Sequence, residues 1–293
     1  MASRVRIVTD STASFETPNV VEDYDITVLP MILAFGDQRL QDGIDIPHEE
    51  VFQRLRMAAG SLSMEPPVVT TIETVFAELN KTTDKICVLV HSQKLSDIFA
   101  RAQAARSGLL GRCEIIVIDS QTTSLGLGYL VESIASAAAD GATLDDAVRI
   151  ARSVIPRIYS VYYVDTLDYI QRAGLIGQTQ ALLGAMLNIK PMLTIEDGRL
   201  IVMEKVRTHS QAIDKMVEFV SEFTHIERLG IVQNTTRITD RTRMLQDRLA
   251  LAFNQLQYPV VEYEPLIASM IGPDGMGMYV VEGAEEDDPT LYD

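Results

Sequence analysis

The sequence predicts an α/β protein in which an N-terminal, doubly wound and mainly parallel sheet domain precedes an α+β domain with a mixed or antiparallel sheet. The first domain is indicated by three continuous apolar runs at residues 5–8, 86–90 and 115–118. Such β-branched runs are typical of strands buried on both faces. The second domain is indicated by two strand patterns on either side of Asp197-Gly198, a strong hairpin signal that a purely parallel domain would not contain.

The length of the chain allows two domains, because 293 residues exceed the roughly 100–200 residues of one typical domain. We expect the parallel α/β domain at residues 1–156 and the α+β domain at residues 157–283. An acidic disordered tail is expected at residues 284–293, because six acidic residues lie in the last twelve positions. A terminus of this composition is most simply a solvated one.

Composition argues against several classes of function. The net charge is −16, from 25 basic and 41 acidic residues. The chain has no basic cluster and no Trp, so a nucleic-acid partner is not expected. No apolar run approaches the roughly 20 residues that a membrane span needs. Cys87 and Cys113 lie in or beside predicted buried strands, and no secretory signal is seen at the first residues, which together predict a reduced, cytoplasmic setting.

The elements expected in the first domain follow the apolar patterns along the chain: strands at 5–8, 26–35, 86–90 and 115–118, and helices at 48–59, 71–80, 96–105 and 125–139. Pro66-Pro67 interrupts the chain before the second helix. Thr143, followed by Asp146, predicts a capping box that begins a further helix, with Asp in the place of the usual Glu. Thr70 or Thr71 is the expected N-cap of the helix at 71–80.

The second domain is expected to begin after Pro156, with strands at 160–164, 193–195, 200–206, 229–233 and 278–281, and helices at 209–223 and 239–257. The Gly-rich segment at residues 272–277 precedes a strand rather than opening a helix. It therefore predicts a structural turn and not an anion-binding loop. Met276 and Met278 are alternative candidates for lining an apolar pocket, because thioethers adapt to flexible chains.

Polar residues follow each of the three apolar runs of the first domain. The carboxyl ends of parallel strands face the crevice where ligands bind, so these residues predict one site lined by short hydrogen-bonding side chains. Asp10 and Asp119 lie at two of these ends. They are candidates for a general acid and base or for metal ligands, and the simpler interpretation is that each caps the turn that follows it.

Other chemical motifs are weak. The four histidines show neither HxxxH nor HExxH spacing, so no metal site is expected. His91 and Ser92 are adjacent, and adjacent residues on a strand point to opposite faces. His91 is therefore not expected to act as a base for Ser92, and Ser92 is better understood as a hydroxyl donor at a strand end.

In its motifs the chain resembles the DegV family of two-domain proteins. The matching stretches are IVTDSTA at 7–13, DGIDI at 42–46, Ser92 with Leu95-Ser96, VIDS at 117–120, DTLDYI at 165–170, LNIKP at 187–191, Asp197-Gly198 and KVRT at 205–208. The resemblance implies a cytoplasmic protein that binds a long-chain fatty acid, with the acyl chain in the core of the first domain and the carboxylate between the domains.

The resemblance also implies a role without catalysis. Such proteins are similar to the lipid-presenting subunit of a fatty-acid kinase, which shields the tail of the lipid and offers its carboxylate for phosphorylation. No cofactor is expected other than the bound lipid, and a fatty-acid kinase is the expected partner. Burial of each CH2 contributes roughly 0.8 kcal/mol, so a C16 chain contributes on the order of 10 kcal/mol before ordering.

The sequence departs from the family at the positions expected to bind the head group. The family pattern Thr-Ser-Gln-Pro-Ser aligns without gaps to residues 64–68, which read MEPPV, and a gapped alignment brings Thr70 into that place. The Arg of Gly-Gly-Arg falls on Leu175, and the late His falls on Met270. A buried carboxylate without donors is destabilised, so these changes predict an altered preference, toward a neutral or differently placed polar group.

Head-group binding is accordingly expected from a small set of polar residues: Ser92, Gln93, Thr70 and Ser63, with Lys94 as a further donor. Candidates for the pocket or the interface between the domains are Met64, Asp119, Ser120, Met270 and Met276.

Two other functions fit the same residues. One is an enzyme acting on a small acyl or phosphorylated substrate through Asp10, Ser92 and Asp119. The other is a regulatory or interaction module that keeps the fold and no longer binds lipid.

Overall fold

A computed structural model describes residues 4–57, 62–174, 176–177, 189–253 and 258–284. The strands are β1 (Arg6–Asp10), β2 (Thr27–Leu29), β3 (Ile32–Phe35), β4 (Gln38–Gln41), β5 (Leu62–Glu65), β6 (Lys85–Val90), β7 (Glu114–Asp119), β8 (Ile158–Tyr163), β9 (Lys190–Glu196), β10 (Arg199–Val206), β11 (Ile226–Gln233), β12 (Val260–Glu262) and β13 (Met276–Glu282). The α-helices are α1 (Val20–Asp23), α2 (His48–Met57), α3 (Val69–Leu79), α4 (Ile98–Ala105), α5 (Ser124–Ala139), α6 (Leu144–Val154), α7 (Asp168–Arg172), α8 (His209–Ser221), α9 (Asp240–Ala252) and α10 (Pro265–Ile271).

A four-stranded parallel sheet forms the centre of the first half, in the order β2-β1-β6-β7. Both faces of this sheet are buried. Ile7 packs with α5 and α6 on one face, whereas its neighbour Val8 packs with α3 and α4 on the other. The predicted doubly wound α/β arrangement is confirmed, because strands with alternate side chains in two different cores require continuous apolar runs.

The strand predicted at residues 26–35 is wrong, because the chain forms two strands in different sheets there. β2 pairs in parallel with β1, whereas β3 pairs with β4 and β5 in a separate three-stranded antiparallel sheet. The break falls at Pro30 and Met31, which belong to neither strand. Proline has no N–H to donate to a ladder, so it ends β2.

The second half is built on a six-stranded mixed sheet in the order β10-β9-β8-β13-β11-β12. All neighbours are antiparallel except β11 and β12. The predicted hairpin is confirmed, with Asp197 and Gly198 between β9 and β10 and both at positive φ. The α+β character of this half follows from the antiparallel meander that the hairpin begins.

Helix starts were predicted with mixed success. Thr143 forms the predicted capping box with Asp146. The prediction of Thr70 or Thr71 as an N-cap is wrong, because α3 begins two residues earlier than expected, with Val68 as its N-cap and without a side-chain cap. Pro66 and Pro67 stiffen the chain before this start, so the helix begins as soon as the backbone leaves them.

The apolar core between the halves positions the site described below. Phe52 and Leu55 of α2 and Leu125 of α5 pack there against the six-stranded sheet. Gly230 of β11 permits this contact, since a Cβ at that position would lie 2.3 Å from a Leu125 methyl carbon. No helix in the described ranges is long and apolar enough to cross a bilayer. The expected acidic tail lies outside the described residues, apart from residue 284.

Candidate functional site: a cavity between the two large sheets

An open cavity of about 750 Å3 lies where the two halves of the chain meet. Its size is within the range typical of small-molecule sites, roughly 300–1,000 Å3. Its wall combines α2, β5, the turn after β6, α7, β10 and α10. The apolar side chains of this wall include Leu55, Leu62, Met64, Leu95, Leu200, Ile201, Leu266 and Met270. These side chains offer contacts for the hydrocarbon part of a ligand, within a wall that is otherwise largely polar.

Three cations also line the cavity, namely Lys94, Arg172 and Arg199. Arg172 is held in place, since its guanidinium lies 4.8 Å from the centre of the Tyr169 ring and its Nε donates to the carbonyl of Asp168 at 3.0 Å. Lys94 and Arg199 are exposed. Among the described residues that form the wall there is no Asp or Glu.

The polar ends of the parallel strands converge beside this cavity. Asp10 is fully buried, and its two carboxylate oxygens accept from the backbone N–H groups of Thr12 at 2.9 Å and His91 at 2.8 Å. The His91 ring lies between Asp10 and Ser96, with Nδ1 3.1 Å from Asp10 Oδ1 and Nε2 2.6 Å from Ser96 Oγ. Burial acts to raise the pKa of Asp10, but His91 and Thr12 outweigh it and hold that pKa below its usual value.

A row of carboxylate, imidazole and hydroxyl is the arrangement that activates a serine in hydrolases. Ser96 Oγ, however, also accepts from the backbone N–H of Ile98 at 3.3 Å, at the start of α4. Ser96 is not one of the described residues lining the cavity. We therefore assign the Asp10–His91–Ser96 row a positioning role, in which it fixes the turn that carries Lys94 and Leu95.

Glu264 connects the second half of the chain to the same strand ends. Its carboxylate is 1% exposed and accepts from the hydroxyls of Ser14 at 2.9 Å and Thr123 at 3.3 Å. Burial raises the pKa of Glu264 to about 7, although hydroxyl donors and His48 oppose the shift. Because Glu264 is the N-cap residue of α10, these bonds fix the helix that carries Met270 into the cavity wall.

A second charged group lies close to Glu264. His48 Nε2 is 3.1 Å from a carboxylate oxygen of the fully buried Asp42, and its Nδ1 is 3.5 Å from Glu262. Burial acts to lower the pKa of His48, but these two acids outweigh it and raise the pKa to about 10. His48 therefore carries its proton, and with it a positive charge, near neutral pH.

Of the residues predicted to bind a head group, Ser92 is fully buried. Its hydroxyl donates to the carbonyl of Gly198 at 2.8 Å and accepts from the backbone N–H of Lys94 at 3.1 Å. It does not contact His91 through its side chain, in agreement with the sequence argument. A serine hydroxyl can donate one hydrogen bond, and the one donated by Ser92 connects two parts of the chain that are distant in sequence.

The remaining predicted residues are dispersed. Gln93 is exposed and donates through its Nε2 and its backbone N–H to Asp119, at 2.7 and 3.1 Å. Ser63 of β5 and Thr70 of α3 are exposed. Met64 and Met270 lie in the cavity wall, whereas Met276 lines a separate, polar pocket beside the start of α9. Ser120 is buried and bonded to the backbone of Thr122.

Sequence reasoning missed three residues of this region: Arg172, Arg199 and Glu264. Arg199 directly follows the Asp197-Gly198 turn, so the hairpin signal places it at the tip of a hairpin, but not at a cavity. Glu264 carries no local signal, because an acid before Pro265 is equally typical of an exposed helix start.

The described part of the chain contains no group of three or more His, Cys, Asp or Glu side chains arranged to hold a metal ion. Cys87 and Cys113 are both free thiols. Burial raises the pKa of the Cys87 thiol to about 12, which makes it a poor thiolate ligand or nucleophile.

Comparisons with known proteins identify the relatives of this fold. In structure, the chain is similar to a fatty-acid-binding DegV family protein from Thermus thermophilus, with a TM-score of 0.83 and 25% identity over 96% of this chain and 100% of that one. It also shares its fold with a fatty-acid-binding DegV family protein from Streptococcus agalactiae, with a TM-score of 0.85 and 21% identity over 97% and 100% of the two chains.

Sequence comparison identifies relatives of the same family. A DegV domain-containing protein of Streptomyces coelicolor is 32% identical over 282 residues, or 96% of this chain and 99% of the relative. One from Caldanaerobacter subterraneus is 30% identical over 286 residues, covering 95% and 99%. The family model described as "Uncharacterised protein, DegV family" matches residues 4–283. The chain therefore belongs to the DegV family.

Proposed function

We propose that this protein is a binding protein for a long-chain fatty acid, which it holds with its head group in the cavity between the two halves. The observation that carries the proposal is the cavity itself, which combines apolar side chains with three cationic ones. The likeness to the fatty-acid-binding protein of Thermus thermophilus supports the same class of ligand. We propose that the two halves that enclose the cavity are separate domains, at residues 1–156 and 157–283.

The energetics of such a ligand favour binding. Each CH2 removed from water contributes roughly 0.8 kcal/mol, so a chain of 16 carbons contributes on the order of 10 kcal/mol before ordering and association are subtracted. An open rim leaves the polar end of the ligand accessible. The protein is thus proposed to act as a carrier and not as an enzyme.

Titration of delipidated protein with hexadecanoate tests this function. We expect saturable binding with one ligand per chain. The variant Met270→Trp places a larger ring in the cavity wall and should weaken binding at least 10-fold. The matched control is Met203→Trp, because Met203 is 46% exposed on β10 and is not among the described residues of the wall.

Either of two results would overturn the proposal. The first is a wild-type protein that does not bind hexadecanoate. The second is a Met270→Trp variant that binds as well as the Met203→Trp control, since the ligand would then occupy another part of the molecule.

We infer in addition a cytoplasmic role in presenting the acid to a fatty-acid kinase. The two free thiols are compatible with a reducing compartment, and an open rim leaves room for a second protein to reach the carboxylate. If a purified bacterial fatty-acid kinase consumes ATP with the loaded protein and not with the delipidated one, the inference stands. Equal ATP consumption with both forms would contradict it.

A further inference from the structure

The rim of the cavity is unusual for so acidic a chain. The protein carries a net charge of −16, yet Lys94, Arg172 and Arg199 all line this cavity, and no acid is found among its described lining residues. A local concentration of one charge sign in the wall of a cavity attracts ligands of the opposite sign. The feature therefore points to a negatively charged group at this end of the ligand.

A buried hydroxyl brings two of the three cations together. Ser92 Oγ accepts from the backbone N–H of Lys94 at 3.1 Å and donates to the carbonyl of Gly198 at 2.8 Å. Arg199 is the next residue after Gly198. One side chain therefore fixes the backbone beside Lys94 in the first half and the backbone beside Arg199 in the second half, although the two cations are 105 positions apart in the sequence.

The close approach at this point depends on glycine. Gly198 has a φ of +77°, and a Cβ at this position would lie 2.3 Å from Ser92 Oγ. The hairpin tip can therefore rest on Ser92 only while residue 198 has no side chain. The two cations are held at the same cavity by this contact and not by attraction between themselves.

The two side chains are also available to a ligand. Within the described ranges, the ammonium group of Lys94 and the guanidinium of Arg199 have no hydrogen bond or ion pair to the protein, whereas many other cations of the chain do. Arg54 pairs with Glu50, for example, and Arg241 with Asp165. Unpaired cations at a cavity mouth are ready to form charge-assisted hydrogen bonds with an anion.

We propose that Lys94 and Arg199 are the residues that bind the head group and select an anionic one, with Arg172 as a fixed positive charge behind them. This inference rests on the proposed function, since it concerns the polar end of the same ligand. It differs from the neutral preference expected from the sequence, because the lost polar positions are replaced by cations from elsewhere in the chain. Ser92 acts in this site as a positioning residue.

The test compares two ligands that differ only in head group, dodecanoate and dodecanol, on four proteins. The proteins are the wild type, Lys94→Gln, Arg199→Gln and the control Lys205→Gln, which removes an exposed cation from the same strand as Arg199 without touching the cavity wall. The wild type should bind dodecanoate more tightly than dodecanol. Each cavity variant should lose about 3- to 10-fold in affinity for dodecanoate and remain within about 2-fold for dodecanol.

Salt dependence gives a second measurement that does not rely on variants. Raising the ionic strength from about 0.05 M to about 0.5 M should weaken dodecanoate binding and leave dodecanol binding nearly unchanged, because screening acts only on the charged pair. The slope of this dependence should be smaller in Arg199→Gln than in the wild type.

Several results would overturn the inference while leaving the proposed function intact. These are equal affinity of the wild type for the two ligands, an equal loss in Lys205→Gln, and a loss for both ligands in the cavity variants. A wild-type protein that binds neither of these ligands nor hexadecanoate would instead overturn the proposed function, and the inference with it.

Discussion

Glu264 shows how one residue joins the two halves of this protein. It is buried, it accepts hydrogen bonds from the hydroxyls of Ser14 and Thr123, and it occupies the N-cap position of the helix that carries Met270 to the cavity. The carboxylate lacks a direct cationic partner in the described part of the chain, so its charged form is disfavoured by burial. This explains why its pKa is raised to about 7.

The first prediction concerns Glu264→Gln. The pKa of Glu264 is about 7 in the folded protein, against an ordinary value of 4.5. Its protonated carboxyl therefore makes its full contribution to the free energy of unfolding below pH 4.5, and this contribution is lost as the pH rises through 7. The free energy of unfolding of the wild type, relative to that of Glu264→Gln, should therefore fall by about 2–3 kcal/mol between about pH 5 and about pH 8. Urea unfolding at the two pH values measures this difference.

The control for this experiment is Glu222→Gln, which removes an exposed acid after α8. Its pH dependence should parallel that of the wild type. A Glu264→Gln variant whose stability follows the same pH curve as the wild type would show that Glu264 does not titrate in this window.

The second prediction concerns Ser92→Ala. Removing the hydroxyl leaves the carbonyl of Gly198 and the N–H of Lys94 without the partner they share, so the protein should lose about 1–3 kcal/mol of stability. Affinity for dodecanoate should fall as well, because Lys94 and Arg199 are no longer fixed. Ser63→Ala is the control, since Ser63 is exposed, and it should stay within about 0.5 kcal/mol of the wild type. Equal unfolding midpoints of the two variants would contradict the role assigned to Ser92.

At this scale the sequence predicted where a residue lies along the chain better than what it contacts. Ser92 was expected to bind a head group because it lies at a strand end, and that position is correct. Its partner, the carbonyl of Gly198, is 106 residues away. A local sequence pattern cannot predict a contact between residues so far apart in the chain, because this contact depends on how the two sheets pack together.

At the scale of elements, the β9–β10 hairpin was the most predictable feature of the second half. Asp197-Gly198 favours a tight turn by its chemistry alone, and the strands on either side extend further than their apolar centres suggest. The sequence did not predict that the tip of this hairpin rests on the first half. The single strand predicted at 26–35 is wrong for a local reason, because Pro30 interrupts the apolar run and cannot donate a hydrogen bond to a neighbouring strand.

The third prediction concerns the hairpin tip. Gly198→Ala should destabilise the protein for two reasons, the positive φ of +77° and the clash of the new Cβ with Ser92 Oγ at 2.3 Å. Gly36→Ala is a matched control, because Gly36 also has a positive φ of +57° but has no atom within 4 Å of its Cβ position. Gly36→Ala should lose about 1 kcal/mol through backbone strain alone, and Gly198→Ala about 1–3 kcal/mol more.

A double variant separates the two causes. In a Ser92→Ala background, the hydroxyl that would clash with the new Cβ of Gly198→Ala is absent. The loss of stability caused by Gly198→Ala should then become smaller and approach the loss caused by Gly36→Ala. If the losses of Ser92→Ala and Gly198→Ala are simply additive in urea unfolding, the hairpin tip does not rest on Ser92 in the way described.

At the scale of the whole molecule, the two sheets and their order of appearance were predictable because the physics of burial differs between them. Runs such as residues 86–90 are apolar at every position since both faces of their sheet are covered, and this marks a parallel sheet. The small β4-β3-β5 sheet was not predicted, because its strands are short and partly exposed. The cavity was not predicted for a different reason, because six separate segments of the chain form its wall.

The fourth prediction links ligand binding to global stability. A ligand that binds only the folded protein stabilises it by about 2.7 kcal/mol when it is present at about 100 times its Kd. The same dodecanoate concentration should therefore raise the melting temperature of the wild type and of Met203→Trp equally, and that of Met270→Trp clearly less, because a 10-fold weaker Kd leaves at most about 1.4 kcal/mol of stabilisation. A similar rise in all three proteins would show that the stabilising site is not this cavity.

Binding of a long-chain fatty acid is tested most directly by native mass spectrometry of the gently purified protein, followed by solvent extraction and identification of the released lipid. We expect a noncovalent complex of one chain with one long-chain lipid, and a released species that ionises as a carboxylate. A released lipid with a neutral head group would contradict it, as would an empty protein that also fails to bind added hexadecanoate.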